Sequence, residues 1–405
     1  MLTIRIPKFN AEHFFGMFLV LFWGQDILFS YIRAILILIP YIKYTAEYVI
    51  PALMFMCLLC ALPYFIKVIS YKDILFTLAV AIVFCLHILI YPENESTMSI
   101  FGTFITAAFP LYFIGLRFDV SKHWRLLYIL SIINIWFFII YIFSNDNTAT
   151  SGQAMLSSYM HRAYVLLPQL LVVIVELFKK ANPLNVLTVI AGIVILMMCG
   201  NRGSVLLLFL FILFCILFIS EKKRNIGIYA GIISVFAVAI YYFKSLSDVL
   251  MMLFSRFGMS SRVLARLSEG TFFTSSGRDI ITKKLWTAIL EKPILGYGLT
   301  SDRTFVESYA HNFAFELWMS FGLIAGTILL IVIAYIVVKS LVKTKEKTSK
   351  AFLFMLICIG LLKLFISSSF LEEGLFFMML GACVAFLRQN RLGMSKERGR
   401  IYESL

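Results

Sequence analysis

Several catalytic signatures are missing from this chain. It has no Walker loop to cradle nucleotide phosphates. No DxD-like pair and no His/Cys cluster is spaced for a metal ion, so neither a metal nor any other cofactor is expected. No paired carboxylates at a clear helical spacing suggest a glycosidase. There is no internal repeat. Cysteine is present but points nowhere: all seven (57, 60, 85, 199, 215, 358 and 383) sit within or at the ends of apolar runs. Cys57 and Cys60 are spaced CxxC without a second pair, so small buried helix residues are expected rather than a redox or zinc site. The first hydrophobic run lacks a small-residue cleavage site, and a cleavable signal peptide is not expected.

Charge is also scarce, at 14% of residues, and apolar residues make up 61% with a mean hydropathy of +0.92. Soluble domains sit nearer 45–50% apolar. Repeated apolar runs near 20 residues long indicate helices that satisfy their own backbone groups in lipid. The expected fold is therefore all-α, a polytopic transmembrane helical bundle of about 12 spans. The spans are placed near 12–32, 46–66, 74–91, 99–116, 126–143, 163–178, 183–200, 204–220, 226–243, 312–338, 352–370 and 373–388. Three parts follow: residues 1–243 with spans one to nine, a long loop at 244–311, and residues 312–405 with spans ten to twelve and a tail. Forty Phe suit lipid-facing and tightly packed helix surfaces. The net charge of +14 sets topology rather than nucleic-acid binding.

With both termini in the cytoplasm, the cytoplasmic segments collect 22 of the 36 basic residues. The short outer loops PENESTM (92–98) and SSSFLEEG (367–374) contain none. This bias puts the long loop, the loop 144–162 and the turn Gly200-Asn201-Arg202-Gly203 outside the cytoplasm, in the periplasm or its equivalent. ATP and soluble nucleotide sugars are absent there, so any synthesis needs a donor that arrives already activated, such as a lipid-linked diphosphate.

The long loop carries its own pattern. Residues 249–268, with Arg256, Arg262 and Arg266, read as a helix lying in the interface. Ser275 or Ser276 can cap a further helix starting near Arg278, with Asp279 in its first turn. Ile280, Ile281, Leu285, Ile289 and Leu290 form its apolar stripe; Pro293 stops it, and Gly296 and Gly298 turn the chain.

Seven residues stand out for chemistry. Arg202 is either a snorkelling anchor or an anion clamp. Arg278, at a helix N-terminus, either joins backbone N–H groups in holding a diphosphate or pairs with Asp279 or another loop acid. His311, where the loop enters a span, is either an interfacial hydrogen-bonding residue or a base for a sugar hydroxyl. On a helix it would share a face with Phe315 and Trp318. Asn312 and Glu316 form an i, i+4 pair, and Glu316 lies within the span, a functional candidate or a packing carboxyl with a shared proton. His161 and Arg162, opening the sixth span with Tyr164, could hold a phosphate or an acceptor sugar. Lys363 and Asp26 are further charges within or near spans.

Four pieces in order, NRGSVLLL (201–208), SGRDIITKKLW (276–286), KPILGYGL (292–299) and HNFAFELWMSFGLIAG (311–326), give the chain a family likeness. It resembles the bacterial O-antigen ligase and O-antigen polymerase superfamily, membrane glycosyltransferases of GT-C-like helical architecture. The likeness is strong over about a third of the chain. It implies that Arg202 and Arg278 bind undecaprenyl diphosphate and that His311 is the base. Arg162, Arg256, Arg262, Arg266 and Arg303 compete for any further phosphate-binding role.

The resulting expectation is a metal-independent, inverting glycosyltransferase of the bacterial inner membrane. Its donor is an undecaprenyl-diphosphate-linked glycan. The expected reaction is that of a polymerase, whose acceptor is a lipid-linked repeat unit; a ligase that transfers the glycan to lipid A–core is the alternative. Membrane lipids and a chain-length regulator protein are the other expected partners, with no nucleic acid. A lipid-linked sugar transporter or flippase is the alternative from another class. The absence of repeated halves and one asymmetric loop count against it.

Overall fold

The computed structural model describes residues 10–27, 46–67, 69–144, 152–199, 201–219, 252 and 278–403. All described elements are helical. In chain order they are α1 (Ala11–Gly24), α2 (Ala46–Ile66), α3 (Tyr71–Ile90), α4 (Ser96–Arg117), α5 (Val120–Ser144), α6 (Gly152–Lys179), α7 (Pro183–Met198), α8 (Arg202–Ile219), α9 (Arg278–Glu291), α10 (Ser301–Val306), α11 (Phe313–Lys343), α12 (Lys347–Phe365) and α13 (Gly374–Glu403). Among the described residues, seven helices are long and apolar enough to cross a membrane: most of α2 and α5, and the whole of α3, α4, α8, α11 and α12. The outer surfaces of α3 and α11 are largely apolar and exposed, as suits a helix that faces lipid. The expected ninth span at 226–243 lies outside the described residues. So do the capping serines Ser275 and Ser276, and the interfacial segment 249–268 apart from Met252.

The chain divides into two compact units, residues 1–69 with 119–195, and residues 70–118 with 196–405. In the first, α1 packs on α2 and α5, and α5 packs on α6. Phe15 is fully buried among Tyr64, Phe65 and His123, with ring centroids 5.3–5.4 Å away. The end of α1 leaves carbonyls unpaired, and buried side chains satisfy one of them. Asn134 and Gln169 donate to the Trp23 carbonyl at 3.0 and 3.1 Å, and the Trp23 indole donates to Ser131.

In the second unit α13 lies directly against α4. A Cβ on Gly115 would stand 2.1 Å from the Met378 carbonyl oxygen, and one on Gly381 would stand 2.0 Å from that of Tyr112. Both helices therefore touch through backbone, the small-residue contact typical of helices in lipid. One end of this packing is locked by charge. The Asp73 carboxylate, 1% exposed, takes two hydrogen bonds from the Arg388 guanidinium at 2.7 and 2.9 Å. Tyr112 Oη and the Ser70 N–H and hydroxyl complete its shell. Removing the arginine strands a buried carboxylate. Arg388→Ala is expected to lower stability by about 3 kcal/mol, read as a lower thermal transition in detergent. Adding Asp73→Asn should recover part of that loss, because the uncompensated charge is gone.

Candidate functional site

The sequence places a helix from about residue 278 to Pro293, and the structure has α9 there. Its buried side is Leu285, Ala288 and Ile289, packed with Ala310 and Met319. The expected stripe is corrected at two positions: Ile280 and Leu290 are 60% and 55% exposed, because Ala288 rather than either of them completes the buried face.

Beyond α9 the chain turns at Gly296 and Gly298, both at positive φ. This turn is built into α11. Gly322 breaks α11 with φ 78° and ψ 169°, a backbone region open essentially to glycine alone. At the break, the Leu323 N–H and the Met319 carbonyl lose the bond they would share in a continuous helix. The Pro293 carbonyl accepts from Leu323 N–H, and Tyr297 N–H donates to the Met319 carbonyl, both at 2.7 Å. The loop thus replaces the missing rung, which satisfies an interrupted helix without water. Two sequence pieces that look independent, KPILGYGL and HNFAFELWMSFGLIAG, are one clasp.

The clasp has a second support in the short loop 92–98, which the sequence marks only by its lack of basic residues. Asn94 donates to the Tyr297 and Leu299 carbonyls at 2.8 and 3.1 Å. The Thr97 and Thr300 hydroxyls bond at 2.8 Å, and His87 Nδ1 accepts from Leu299 N–H at 2.8 Å.

His311 sits just before α11, not on it. Asn312 is the N-cap, its side chain accepting from the Ala314 and Phe315 N–H groups. His311 itself is at φ 54°. The expected face shared with Phe315 and Trp318 is therefore absent. Those two rings pack with Trp286 of α9, while the His311 ring lies 4.1 Å from that of Tyr309. His311 Nδ1 is buried without a hydrogen-bond partner. Burial first, and the Arg278 guanidinium second, hold the imidazole down at about 4.

Arg278, half-buried at the first turn of α9, donates to the Ile366 carbonyl. It forms no ion pair among the described residues, so the expected alternative of a salt bridge to Asp279 is not what holds it. Arg202 is the first residue of α8 rather than part of the preceding turn. Asn201 caps that helix, accepting from Gly203 and Ser204 N–H at 2.9 and 3.3 Å. α8 packs against the turn 362–365, next to the carbonyl that Arg278 reaches. Both arginines therefore arrive on helices that meet the same segment.

That segment and the loop after it, 366–373, are what the sequence reading missed. Glu316, 3% exposed, accepts from the Ser369 hydroxyl and from Phe370 N–H. It does not use Asn312's side chain; the two residues are joined only by the helical bond from Glu316 N–H to the Asn312 carbonyl. Arg303 pairs with Glu372 at 2.8 Å, Lys363 pairs with Glu373, and Tyr309 and Ser367 hydroxyls lie 3.3 Å apart. Lys363's acid is thus ten residues away, on the loop that follows its helix. Asp302, 2% exposed, accepts from Ala310 N–H at 2.7 Å. Burial pushes its carboxyl up against the opposing pull of that bond and of Arg303. The visible signal was the serine run itself, whose hydroxyls can meet a buried carboxyl; its value for topology hid that.

His161 and Arg162 fall within α6 of the first unit, and Arg162 is half-buried there. Arg202, Arg278, His311, Asn312 and Glu316 all belong to the second. Among the described residues, no group of three or more His, Cys, Asp or Glu is arranged to hold a metal ion.

Apolar spanning helices, with polar groups gathered where helices start and break, define a multi-pass helical membrane protein. Residues 187–331 match the family model described as O-antigen ligase, and the match supports membership of the O-antigen polymerase and ligase superfamily. Arg202, Arg278 and His311 all fall inside the matched stretch, whereas the 366–373 loop lies beyond it. Together with the apolar helices, the match fits a membrane protein of lipopolysaccharide biosynthesis. No curated protein and no solved structure matches the chain significantly.

Proposed function

We propose that the protein is a surface-polysaccharide polymerase of the bacterial inner membrane, working on the periplasmic face with both termini in the cytoplasm. The donor is a glycan on undecaprenyl diphosphate and the acceptor is a lipid-linked repeat unit. Residues 1–243 and 312–405 carry the spans, and the 244–311 loop brings most of the reacting groups. The observation that carries this reading is the pairing of His311, with its unpartnered Nδ1, and Arg278, whose guanidinium is held by a carbonyl instead of an acid. A base that is neutral at ordinary pH lies within electrostatic reach of a cation that no acid holds among the described residues.

In the transfer, an acceptor hydroxyl attacks the anomeric carbon and gives its proton to His311. The bond from the anomeric carbon to the diphosphate breaks. Arg278, and Arg202 at the N-terminus of α8, take up the negative charge of the leaving lipid diphosphate. One displacement inverts the anomeric centre, and charge stabilisation by the arginines needs no metal. Asn312 and Glu316 are assigned to the shape of the site. A chain-length regulator is the protein partner expected of a polymerase.

Ligation to lipid A–core is the second reading, favoured by the description of the matching family. The surface glycan of a deletion strain separates the two. Lipid A–core carrying a single repeat unit is the result expected of a lost polymerase. Bare core, with polymer accumulating on undecaprenyl diphosphate, would make the protein a ligase. Full-length surface glycan would remove it from both reactions.

A further inference from the structure

His311 holds a left-handed backbone that side-chain-bearing residues adopt at a cost, and such a conformation persists only where its surroundings over-determine it. Two anchors do so. Downstream, Asn312 caps α11 and its carbonyl accepts from Glu316 N–H at 3.0 Å. Upstream, the N–H of Ala310, the residue immediately before His311, donates to Asp302 Oδ2 at 2.7 Å. Asp302 lies in the first turn of α10, which follows directly on the clasped turn, and it is 2% exposed. A buried carboxyl oxygen that accepts a backbone N–H anchors a turn, because breaking the bond would leave a buried donor and acceptor unsatisfied. Ala310 is itself buried against α9, so the anchor joins the histidine to the helix that carries Arg278.

We propose that Asp302 is a positioning residue for His311: its carboxyl group fixes the Ala310–His311 backbone in the left-handed turn that keeps the imidazole against Tyr309. Without it the 308–311 segment is free to relax toward the right-handed region, and the imidazole leaves its place. This rests on the reading of His311 as the base, and deepens it.

The test uses the full-length protein in proteoliposomes, with undecaprenyl-diphosphate glycan extracted from a strain lacking the protein. Asp302→Ala is expected to lower kcat about 100-fold, the scale of a displacement of about 1 Å in a reacting group, with KM for the lipid-linked glycan changed less than about twofold. Asp302→Asn keeps an acceptor oxygen for Ala310 N–H and is expected to recover most of the rate. In a His311→Ala background, Asp302→Ala should cost less than about twofold further, because the group it positions is already gone. If Asp302→Ala fails to fold, Asp302→Ser, a shorter acceptor, is expected to give the same loss of kcat in a folded protein. An equal cost of Asp302→Ala in both backgrounds would overturn the proposal. So would a loss confined to KM, or an Asp302→Asn variant as slow as Asp302→Ala. A His311→Ala protein transferring at the native rate would instead sink the base reading itself.

Discussion

Replacing His311 by alanine is expected to slow glycan transfer by about 10²–10⁴-fold, the range seen when a general base is removed, in a protein that still folds and still binds the lipid-linked donor. The expectation rests on three observations made at one side chain. Nδ1 is buried without a partner, the ring is held against Tyr309, and the backbone is fixed in the left-handed turn. Alanine tolerates that backbone less well than asparagine does. His311→Asn is therefore the companion variant, expected to be as inactive as alanine without the strain. Native polymer formation in either would take His311 out of the mechanism, and continued translocation of lipid-linked sugar by an inactive variant would favour a carrier.

The pH profile carries the same idea further. The imidazole ordinarily titrates near 6.5 and is held down at about 4 by burial and then by Arg278. The base form is therefore complete at pH 7, and transfer should stay level down to about pH 5 and fall as pH drops through about 4. Arg278→Ala removes one of the two depressing influences, so the acid limb should move to higher pH as well as the rate falling. The sign for stability is the same. The folded-state value lies below the unfolded one, so the unfolded chain binds the proton first. The contribution of neutral His311 is present above 6.5 and is lost as pH falls toward about 4. An acid limb unmoved by Arg278→Ala would mean that the two groups do not communicate.

The second large effect is expected at Gly322, the break within α11. A Cβ there would stand 2.2 Å from the Ile294 carbonyl oxygen and 2.5 Å from its carbon, both backbone atoms that cannot swing aside. The φ of 78° adds strain of its own, about 1–3 kcal/mol for a residue with a side chain. Gly322→Ala should therefore expel the 293–297 turn from the break. The Leu323 N–H and Met319 carbonyl are then left to re-form a continuous helix. Loss of transfer comparable to that of His311→Ala is expected, together with faster proteolytic nicking between 291 and 311. Gly102→Ala is the contrast: beyond its own stretch of helix backbone nothing lies within 4 Å of its added Cβ, so transfer should be unchanged. A Gly322→Ala protein with native activity and native protease resistance would show that the clasp does not hold the site.

These two residues divide what could be read early from what could not. The glycines of KPILGYGL announce a turn, and His311 announces itself as the one histidine of a long polar loop. Nothing in the spacing says that Gly322, in the middle of an apolar run, receives that turn. An apolar run reads as continuous helix because hydropathy sees side chains, whereas the break is made by backbone groups finding partners in another segment. The misplacement of His311 on a helical face has the same origin: Asn312 could cap a helix, but only the fold shows that it does, leaving His311 outside. Lys363 needed a partner, yet its acid lies on a loop whose serines and glutamates carry no periodic signal. Ser369 and Phe370 meet Glu316 from more than fifty positions away.

By itself the sequence determined the all-helical membrane class and the likeness to the O-antigen polymerase and ligase superfamily, and it singled out Arg202, Arg278 and His311 as candidates. Those follow from hydropathy, charge scarcity and local motifs, which are properties of short stretches. Only the tertiary structure decided that α11 is broken and refilled by the 293–297 turn. It also decided that Arg278 rests on a carbonyl, and that Asp302 and the 366–373 loop hold the histidine's surroundings. Those depend on hydrogen bonds between distant segments, and in a chain with so few polar groups each such bond is settled by where the backbone is left unsatisfied.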